Sequence, residues 1–555
     1  MAETDVQGSV YVPVDDWVYP ALDRLHALGY VNTAYLGLRP WTRASIAHML
    51  ELSSDRIESD HNSEARSIYI ALAREFKPDI NRSTGAAPQV ELESAYTRLR
   101  GIAGTPLRDS FHLGETIIND YGRPYEGGFN NYSGFSARAM AGRFSLYFRG
   151  ETQYAPSATG YTAALAADLS TNIDGIPFLG NVFATIPEGP IATTGQTRVL
   201  EAALSYHLLG HEISIGKEDH WLAPASGASM LWSNNAENIY EFQINRVEPL
   251  RVPGLSLLTG PFRYDFFVGG LKGHTLVPNP AYPGTVQNPQ PNVINPGDPW
   301  VHMEKISFKP TRDLEIGFDR LTLWGGEGHV PVTLHSFLHS FFSFQNVPET
   351  EKFGRDDPGD RIGTFDFSWR LPFLSQWVTL YTDSVVHDDV SPVAAPRRAG
   401  YQPGIYLARF PGLQHLDLRL EGADMEPASH AGINQGQFLY WEYIERQGPT
   451  NNGNLVGDWV GRQGHGGQAW LTYHLSPKEW VQFQYRNAKA SPMFIPGGTT
   501  QNDFAAQAVK RFRGDYEVRG WVQYERWKAP IYQPGLNNDT VVEFQFTWFP
   551  PEQKR

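Results

Sequence analysis

GHEISIGKEDHWLAPASGASMLWSNNAENIYEFQINRVEP, residues 210–249, holds two strands and the stretch that interrupts them. Ile213 and Ile215 alternate with Glu212, Ser214 and Gly216, the period of two of a half-buried strand. The chain then leaves regular structure through a segment dense in Gly, Ser, Asn and Pro, where Trp221 and Trp232 stand among polar groups, and returns to a strand over 239–247. Each strand offers one apolar and one hydrated face. The segment between them presents the hydroxyl and amides of Ser233, Asn234 and Asn235, which match sugar hydroxyls in donor and acceptor mix. Lys217, Asp219 and His220 precede Trp221 at the end of the first strand. The Ser-Asn-Asn run reads equally as turn chemistry that shapes the segment.

The same period governs the chain from about residue 86 onward. Leu314, Ile316 and Phe318 alternate with Asp313, Glu315, Gly317 and Asp319. Leu416, Leu418 and Leu420 alternate with His415, Asp417, Arg419 and Glu421, and Val542, Phe544, Phe546 and Trp548 with Val541, Glu543, Gln545 and Thr547. A two-sheet sandwich also alternates. Three features favour a transmembrane barrel. The strands recur without a clear helix between them. Aromatics crowd the strand ends, as at Trp377, Tyr381, Trp470, Tyr473, Trp521, Tyr524 and Trp527. The segments run about nine to eleven residues, the span of a tilted strand across a bilayer. At about 26 residues per strand with its connection, roughly sixteen to twenty strands are expected. Turns are expected at Ala141-Gly142, Pro310 to Arg312 and Arg513-Gly514. The two longest loops are expected at 155–195 and 276–300, the second marked by Asn288, Pro289, Pro291, Asn292, Asn295 and Pro296.

Composition fits this fold. Aromatics make up 13% of the 555 residues, with 15 Trp and 26 Tyr, which points to interface girdles or sugar-stacking surfaces. A net charge of −14 argues against a nucleic-acid partner, which needs a clustered basic surface. There is no Cys, so neither disulfides nor thiolate metal sites are expected. No run of about 18 apolar residues marks a membrane helix. Met1-Ala2-Glu3-Thr4 carries no charged and apolar leader pattern, which fits numbering from a mature end with an added Met.

Residues 10–85 alone show helical periodicity. Asp15 or Asp16 caps a helix that turns Val18, Ala21, Leu22, Leu25 and Leu28 inward and ends at Gly29. Thr42 caps a second, with Ile46, Met49 and Leu50 inward. A third runs from about Ser63 to Phe76 and stops before Pro78, with Ile68, Leu72 and Phe76 inward. This small bundle is too thin to stand alone and is expected to lean on the rest. The expected domains are 1–85, helical, and 86–555, the barrel.

Gly216-Lys217, Trp221 to Pro224, Ser233 to Ala236 and Arg246 to Leu250 form a G-K, W-x-x-P, S-N-N-A, R-x-x-P-L series that resembles the Wzi family of outer-membrane capsule-assembly proteins. VPVDDWVYPALDRLHALGYV and RPWTRASIAHML resemble that family's periplasmic helical part, and Trp17 to Gly29 with Pro40 to Arg43 also resemble a surface-layer-homology module. The Wzi resemblance implies an antiparallel barrel of eighteen strands in the outer membrane. It implies a lectin-like, non-enzymatic role: attaching capsular or exopolysaccharide at the cell surface, with outer-membrane lipid and the polysaccharide export machinery as further partners. Binding then falls to Lys217, Asp219, His220, Trp221, Trp232, Ser233, Asn234, Asn235 and Arg246. The tail Pro550 to Arg555 after Trp548-Phe549 departs from the terminal aromatic common in such barrels.

Other constellations carry less. Glu218 and Asp219 form a carboxylate pair, but neighbours in a strand face opposite ways, so an acid and base across one sugar are not expected there. His335 and His339 have the i, i+4 spacing of a helical zinc site, but aromatics surround them and no Glu follows. His387-Asp388-Asp389 offers too few carboxylates for calcium. No phosphate cradle, nucleophile elbow or H-E-x-x-H occurs, so neither a cofactor nor a catalytic set is expected. A carbohydrate-selective porin with a wall-anchoring module, or a secreted glycan hydrolase, would account for the same polar lumen pattern or scattered carboxylates.

Overall fold

The computed structural model describes residues 7–80, 87–174, 189–274, 298–325, 331–343, 357–374, 376–389, 391–429, 436–442 and 447–550. Eighteen antiparallel strands, each paired with its sequence neighbours in the wall, form one sheet that closes where Gln89–Gly104 pairs with Gln533–Trp548. Closure removes every free edge, as a sheet in lipid requires. Strand lengths range from seven residues at His211–Lys217 to sixteen at Gln533–Trp548, a wider spread than the nine to eleven expected.

The alternation read from the sequence maps onto two opposite media. Ile215 is 63% exposed and Phe504 55%, and Leu204, Phe318, Leu420, Val542, Phe544 and Phe546 are likewise exposed on the outer wall. Glu201, Asp319, Asp417, Asp503 and Glu543 on the alternate positions are buried in the lumen. A protein with apolar side chains outside and carboxylates inside is the inverse of a water-soluble one, and lipid is the solvent that stabilises it. No described helix is long and apolar enough to cross a membrane, and the strands do that work.

One rim carries short turns and the other long connections. Leu209-Gly210 joins two strands with φ of 52° and 75°, the positive values a two-residue hairpin turn needs to match strand twist. The expected turn at Arg513-Gly514 is present, and the one placed at Ala141-Gly142 falls on Gly142 and Arg143, since the strand runs through Ala141. The one placed at Pro310 to Arg312 falls instead on Arg312 and Asp313, since the strand runs on to Thr311. Connection 425–463 is longer than 271–299, so the two expected loops are not the two longest. Residues 275–297, including the Asn/Pro run of 288–296, lie outside the described residues.

Helices do interrupt the strands, contrary to expectation. Ala163–Asp168 and Leu334–Phe342 are the longer ones. In the second, LHSFLHSFF, apolar residues outnumber polar ones and no strand-breaking residue stands among them, so no helical signal sets it apart from the strands around it. Of the seven aromatics expected at strand ends, Tyr473 and Tyr524 face outward, while Tyr381 and Trp527 are buried inside. The outward rings form two belts: Phe144, Trp369, Phe512, Tyr516 and Trp548 at the short-turn rim, and Tyr154, Tyr240, Trp300 and Tyr401 at the other.

The N-terminal helices sit at the short-turn rim. Val18–Ala27 starts where Asp16 Oδ1 accepts the Val18 N–H at 2.9 Å and ends at Gly29, φ 92°. Arg43–Glu51 is capped by Thr42, which accepts from Ser45 N at 3.1 Å. Ser63–Glu75 follows, and the chain makes one further turn, Lys77–Ile80, through Pro78, a residue tolerated in a first turn. Leu22, Leu25, Ile46, Leu50, Ile68 and Leu72 share a core that also takes in Tyr381, Tyr406 and Ala408 from the wall. Arg24, 1% exposed, binds Glu64 of a neighbouring helix at 2.7 Å and Asp417 of the wall at 2.8 Å. Arg370 Nη1 donates to His26 O at 2.5 Å, so a wall cation caps the negative end of the first helix.

Val542→Arg, on the outward face opposite Gly101 and Val522, is expected to lower stability by about 2–4 kcal/mol, measured by urea unfolding of the protein in lipid vesicles. A change under about 0.5 kcal/mol would show that this face does not meet lipid.

Candidate functional site

A ring of sixteen to eighteen strands is wider than its own side chains can fill, and segments from both rims fill this one. From the long-loop rim, 218–239 folds inward. Asp219, 1% exposed, is its hub. Its Oδ2 accepts from Val14 N and Tyr121 OH, both at 2.9 Å, and its Oδ1 from Asn238 Nδ2 at 2.6 Å. Burial and the nearby Asp15 raise its pKa. Trp221 exchanges two backbone hydrogen bonds with Arg39, so the descending segment and the N-terminal one meet as a short antiparallel pair in mid-lumen.

Wall carboxylates hold this plug by its backbone. Glu421 accepts from Ser226 N at 2.8 Å and Gly227 N at 2.9 Å, and Asp383 from Met230 N at 2.7 Å. From the other side, Glu315 accepts from Leu36 N at 2.8 Å and Gly37 N at 3.0 Å. Irregular backbone at membrane depth needs such partners. Three loops at the upper rim are joined by His112, buried between Asp109 at 3.0 Å and Asp174 at 3.1 Å, with Arg462 on Asp174 at 2.7 Å.

Above the plug lies a polar pocket of about 390 Å³, lined by Gln196, Arg198, Asn235, Glu237, Asn452 and Asn454 among others. Gln196 and Asn452 are exposed, and Asn454 is half-buried. Arg198 Nη2 donates to Tyr121 O at 2.7 Å and Nη1 lies 3.3 Å from Glu237, while its Nε has no hydrogen-bond partner. Amides, a guanidinium and a carboxylate on an open, rigid floor suit a polyhydroxylated ligand.

The sequence model of the family described as capsule assembly protein Wzi matches residues 98–541. The chain belongs to the Wzi family. Among solved structures it resembles Wzi of Escherichia coli, described as an outer membrane protein involved in group 1 capsule assembly and a carbohydrate-binding β-barrel. The TM-score is 0.64, with 14% identity over 96% of this chain and 98% of that one, and the likeness shows the fold. Among curated sequences, 181 residues match an uncharacterized 55.8 kDa protein in the cps region of Klebsiella pneumoniae at 24% identity, covering 32% of this chain and 31% of that protein's length. The protein is thus an eighteen-strand barrel of the outer membrane.

The motifs that carry the Wzi resemblance lie mostly inside it. Trp221, Trp232, Ser233, Asn234 and Asn235 are buried. Trp221 Nε1 donates to Ala225 O, and the Trp232 ring packs edge-on to Phe267 at 4.9 Å. Ser233 N donates to Val456 O at 2.7 Å, and Asn235 Nδ2 to Ser110 Oγ at 3.2 Å and Leu455 O at 3.1 Å. The Ser-Asn-Asn run joins loops, and of these three only Asn235 reaches the upper pocket. Lys217 is buried and pairs with Glu237, which lines the pocket. His220, held by Glu241 at 2.5 Å, is pushed down to about 4 by burial. Arg246 does not join this group. It sits at the opposite rim, over the Leu209-Gly210 turn, with Nε donating to Glu248 O at 2.7 Å. Leu250 of the same motif pairs with Phe262 by two backbone hydrogen bonds, while Val247 N and Glu248 N donate to Gly210 O.

Glu218 accepts from Ser214 Oγ at 2.6 Å and burial raises it to about 8. It and Asp219 serve separate partners, although both lie past the strand end at Lys217, where strand alternation no longer sets their directions. His335 and His339 do lie on a helix, Leu334–Phe342, with rings stacked at 6.2 Å. His387 and Asp388 gather with Asp360, whose Oδ1 contacts His387 Nε2 at 2.7 Å. The pocket residues Gln196, Arg198, Asn452 and Asn454 carried no signal in the sequence beyond being polar groups near loops.

Glu421→Ala leaves Ser226 and Gly227 without their acceptor and is expected to destabilise the barrel by roughly 2–4 kcal/mol, with loss of hydrogen-exchange protection at both amides. Unchanged protection would mean that the wall does not grip the plug. For His112, burial disfavours the charged ring, but Asp109 and Asp174 outweigh it and raise the pKa from 6.5 to about 9. A raised histidine stabilises fully below its unfolded value and loses that effect as pH climbs through the folded one. Protection of 105–113 and 163–174 should therefore fall between about pH 7 and pH 10, and His112→Gln should abolish this dependence; a profile shared by wild type and variant would contradict the assignment.

Proposed function

We propose that this chain binds capsular or exopolysaccharide at the long-loop rim, which faces outward from the cell, and holds the polymer at the surface without cleaving it. The observation that carries this reading is the polar pocket around Arg198, Asn235, Asn452 and Asn454 above a lumen that the plug fills. It is supported by membership of a capsule-assembly family and by the description of the Escherichia coli protein as carbohydrate binding. Each pocket makes few contacts with a sugar, and a repeating polymer engaging several molecules adds them through multivalency. On this reading 1–85 forms a periplasmic helical domain and 86–555 the barrel, with outer-membrane lipid around the wall and the export machinery supplying polymer from the helical side. The site residues named from the sequence then divide: Asn235 lines the pocket and Lys217 holds Glu237 of its lining, while Asp219, His220, Trp221, Trp232, Ser233 and Asn234 build the floor that supports it. Nothing in the geometry around Glu218 and Asp219 favours hydrolysis, and the filled lumen does not favour a porin.

Immobilised protein carrying Arg198→Ala, Asn452→Ala and Asn454→Ala should retain at least about fivefold less capsular polysaccharide from its own strain than wild type. Equal retention by a folded variant would remove the pocket from the function.

A further inference from the structure

A second cavity, of about 500 Å³, opens at the other rim, between the N-terminal helices and the wall. Its mouth lies at the turn after Gly464–Ser476, beside the start of helix Ser63–Glu75. It runs inward past Trp470 and Trp480 to Asn119 and Asn234 in mid-lumen. Two observations distinguish it from a packing defect. First, its inner end holds two polar acceptors with nothing bound to them: Asn119 Oδ1 and Asn234 Oδ1 are buried and have no hydrogen-bond partner. Asn234 as a whole is 6% exposed. A buried carbonyl oxygen left unpaired costs free energy, so such a pair calls for hydroxyl or amide donors. Second, Trp470 and Trp480 stand on the lumen faces of adjacent strands yet are only partly buried, which leaves indole surface on the cavity. Flat aromatic faces beside fixed polar groups are how proteins hold the apolar faces and the hydroxyls of sugar rings.

Charge narrows the ligand. The ionisable groups around the cavity each face a partner: Arg24 with Glu64 and Asp417, Arg39 with Asp23, His474 with Asp417, His415 with Glu64 at 3.5 Å, and Arg419 between Asp23 at 3.6 Å and Glu421 at 4.0 Å. A charged sugar would have to break one of these pairs. The volume falls within the roughly 300–1,000 Å³ of small-ligand sites. We propose that this cavity is a second saccharide-binding site, reached from the periplasmic rim, that takes a short neutral run of sugar rings. It is separate from the outer pocket and requires no lumen opening.

The test uses the full chain in an amine-oxide detergent, since maltoside headgroups would themselves compete. The probes are cellopentaose and maltopentaose, followed by saturation-transfer NMR and titration. Wild type should bind at least one of them. Trp470→Ala and Asn234→Leu should each weaken binding at least about tenfold, while Trp470→Phe, which keeps a flat face, should stay within about threefold. The outer-pocket triple variant should bind the pentasaccharide like wild type. No saturation transfer from wild type to either probe would overturn the proposal, as would wild-type affinity in both Trp470→Ala and Asn234→Leu. Loss of pentasaccharide binding in the outer triple variant alone would overturn it too, leaving the outer-pocket reading intact.

Discussion

Backbone amides inside this barrel are held by carboxylates of its wall. A ring of eighteen strands encloses more space than its inward side chains can occupy, so irregular chain must enter from both rims. Entering chain brings N–H and C=O groups that cannot be left unpaired at membrane depth. Glu315, Asp383 and Glu421 supply the acceptors for Leu36, Gly37, Ser226, Gly227 and Met230, while Lys309 and Arg370 supply donors for Ala34 O and His26 O. This explains why the lumen face of the strands is charged rather than merely polar. A charged partner makes the stronger hydrogen bond, and the surplus charge is then paired within the network, as Lys305 is with Asp319 and Asp366 at 3.0 and 2.6 Å.

The same arrangement separates the two rims structurally. The plug meets the N-terminal segment at the Arg39–Trp221 pair, and above it the loops are fixed to one another by His112, Asp174 and Arg462. The outer pocket therefore rests on a braced floor. In the proposed function a preordered surface matters, because weak contacts to a polymer leave little free energy for ordering loops. The inner cavity lies on the far side of that floor, against the helices, and is built from different strands.

Alternation made the barrel legible. Lipid outside and a hydrated, charged lumen inside impose a strict period of two, so Leu314 to Asp319 or Val541 to Trp548 could be read with no structural help. The Wzi motifs then supplied a strand number that spacing alone left open. The site was much less legible. In 218–239 there is no periodicity, so nothing in the sequence tells a buried Trp221 from an exposed one, and polar Ser233 and Asn234 read as surface when both are buried, Ser233 joining loops and the Asn234 amide lining the inner cavity. Arg246 was misplaced because a strand carries the chain from one rim to the other in seven residues, and proximity in sequence to Asn235 says nothing about height in the wall. Trp470 and Tyr381 read as girdle aromatics because alternation gives a face only relative to neighbours. Gln196, Arg198, Asn452 and Asn454 come together from connections far apart in the chain, which no local pattern records.

The account stands on the lumen being filled and gripped. Single-molecule current through the purified protein in a planar bilayer tests this most directly. A plug tied to the wall by paired backbone groups predicts a quiet membrane, with no lasting open level at moderate voltage. Stable, stepwise openings of porin size would mean that the lumen is free of its plug, and the architecture described here would be wrong at its centre.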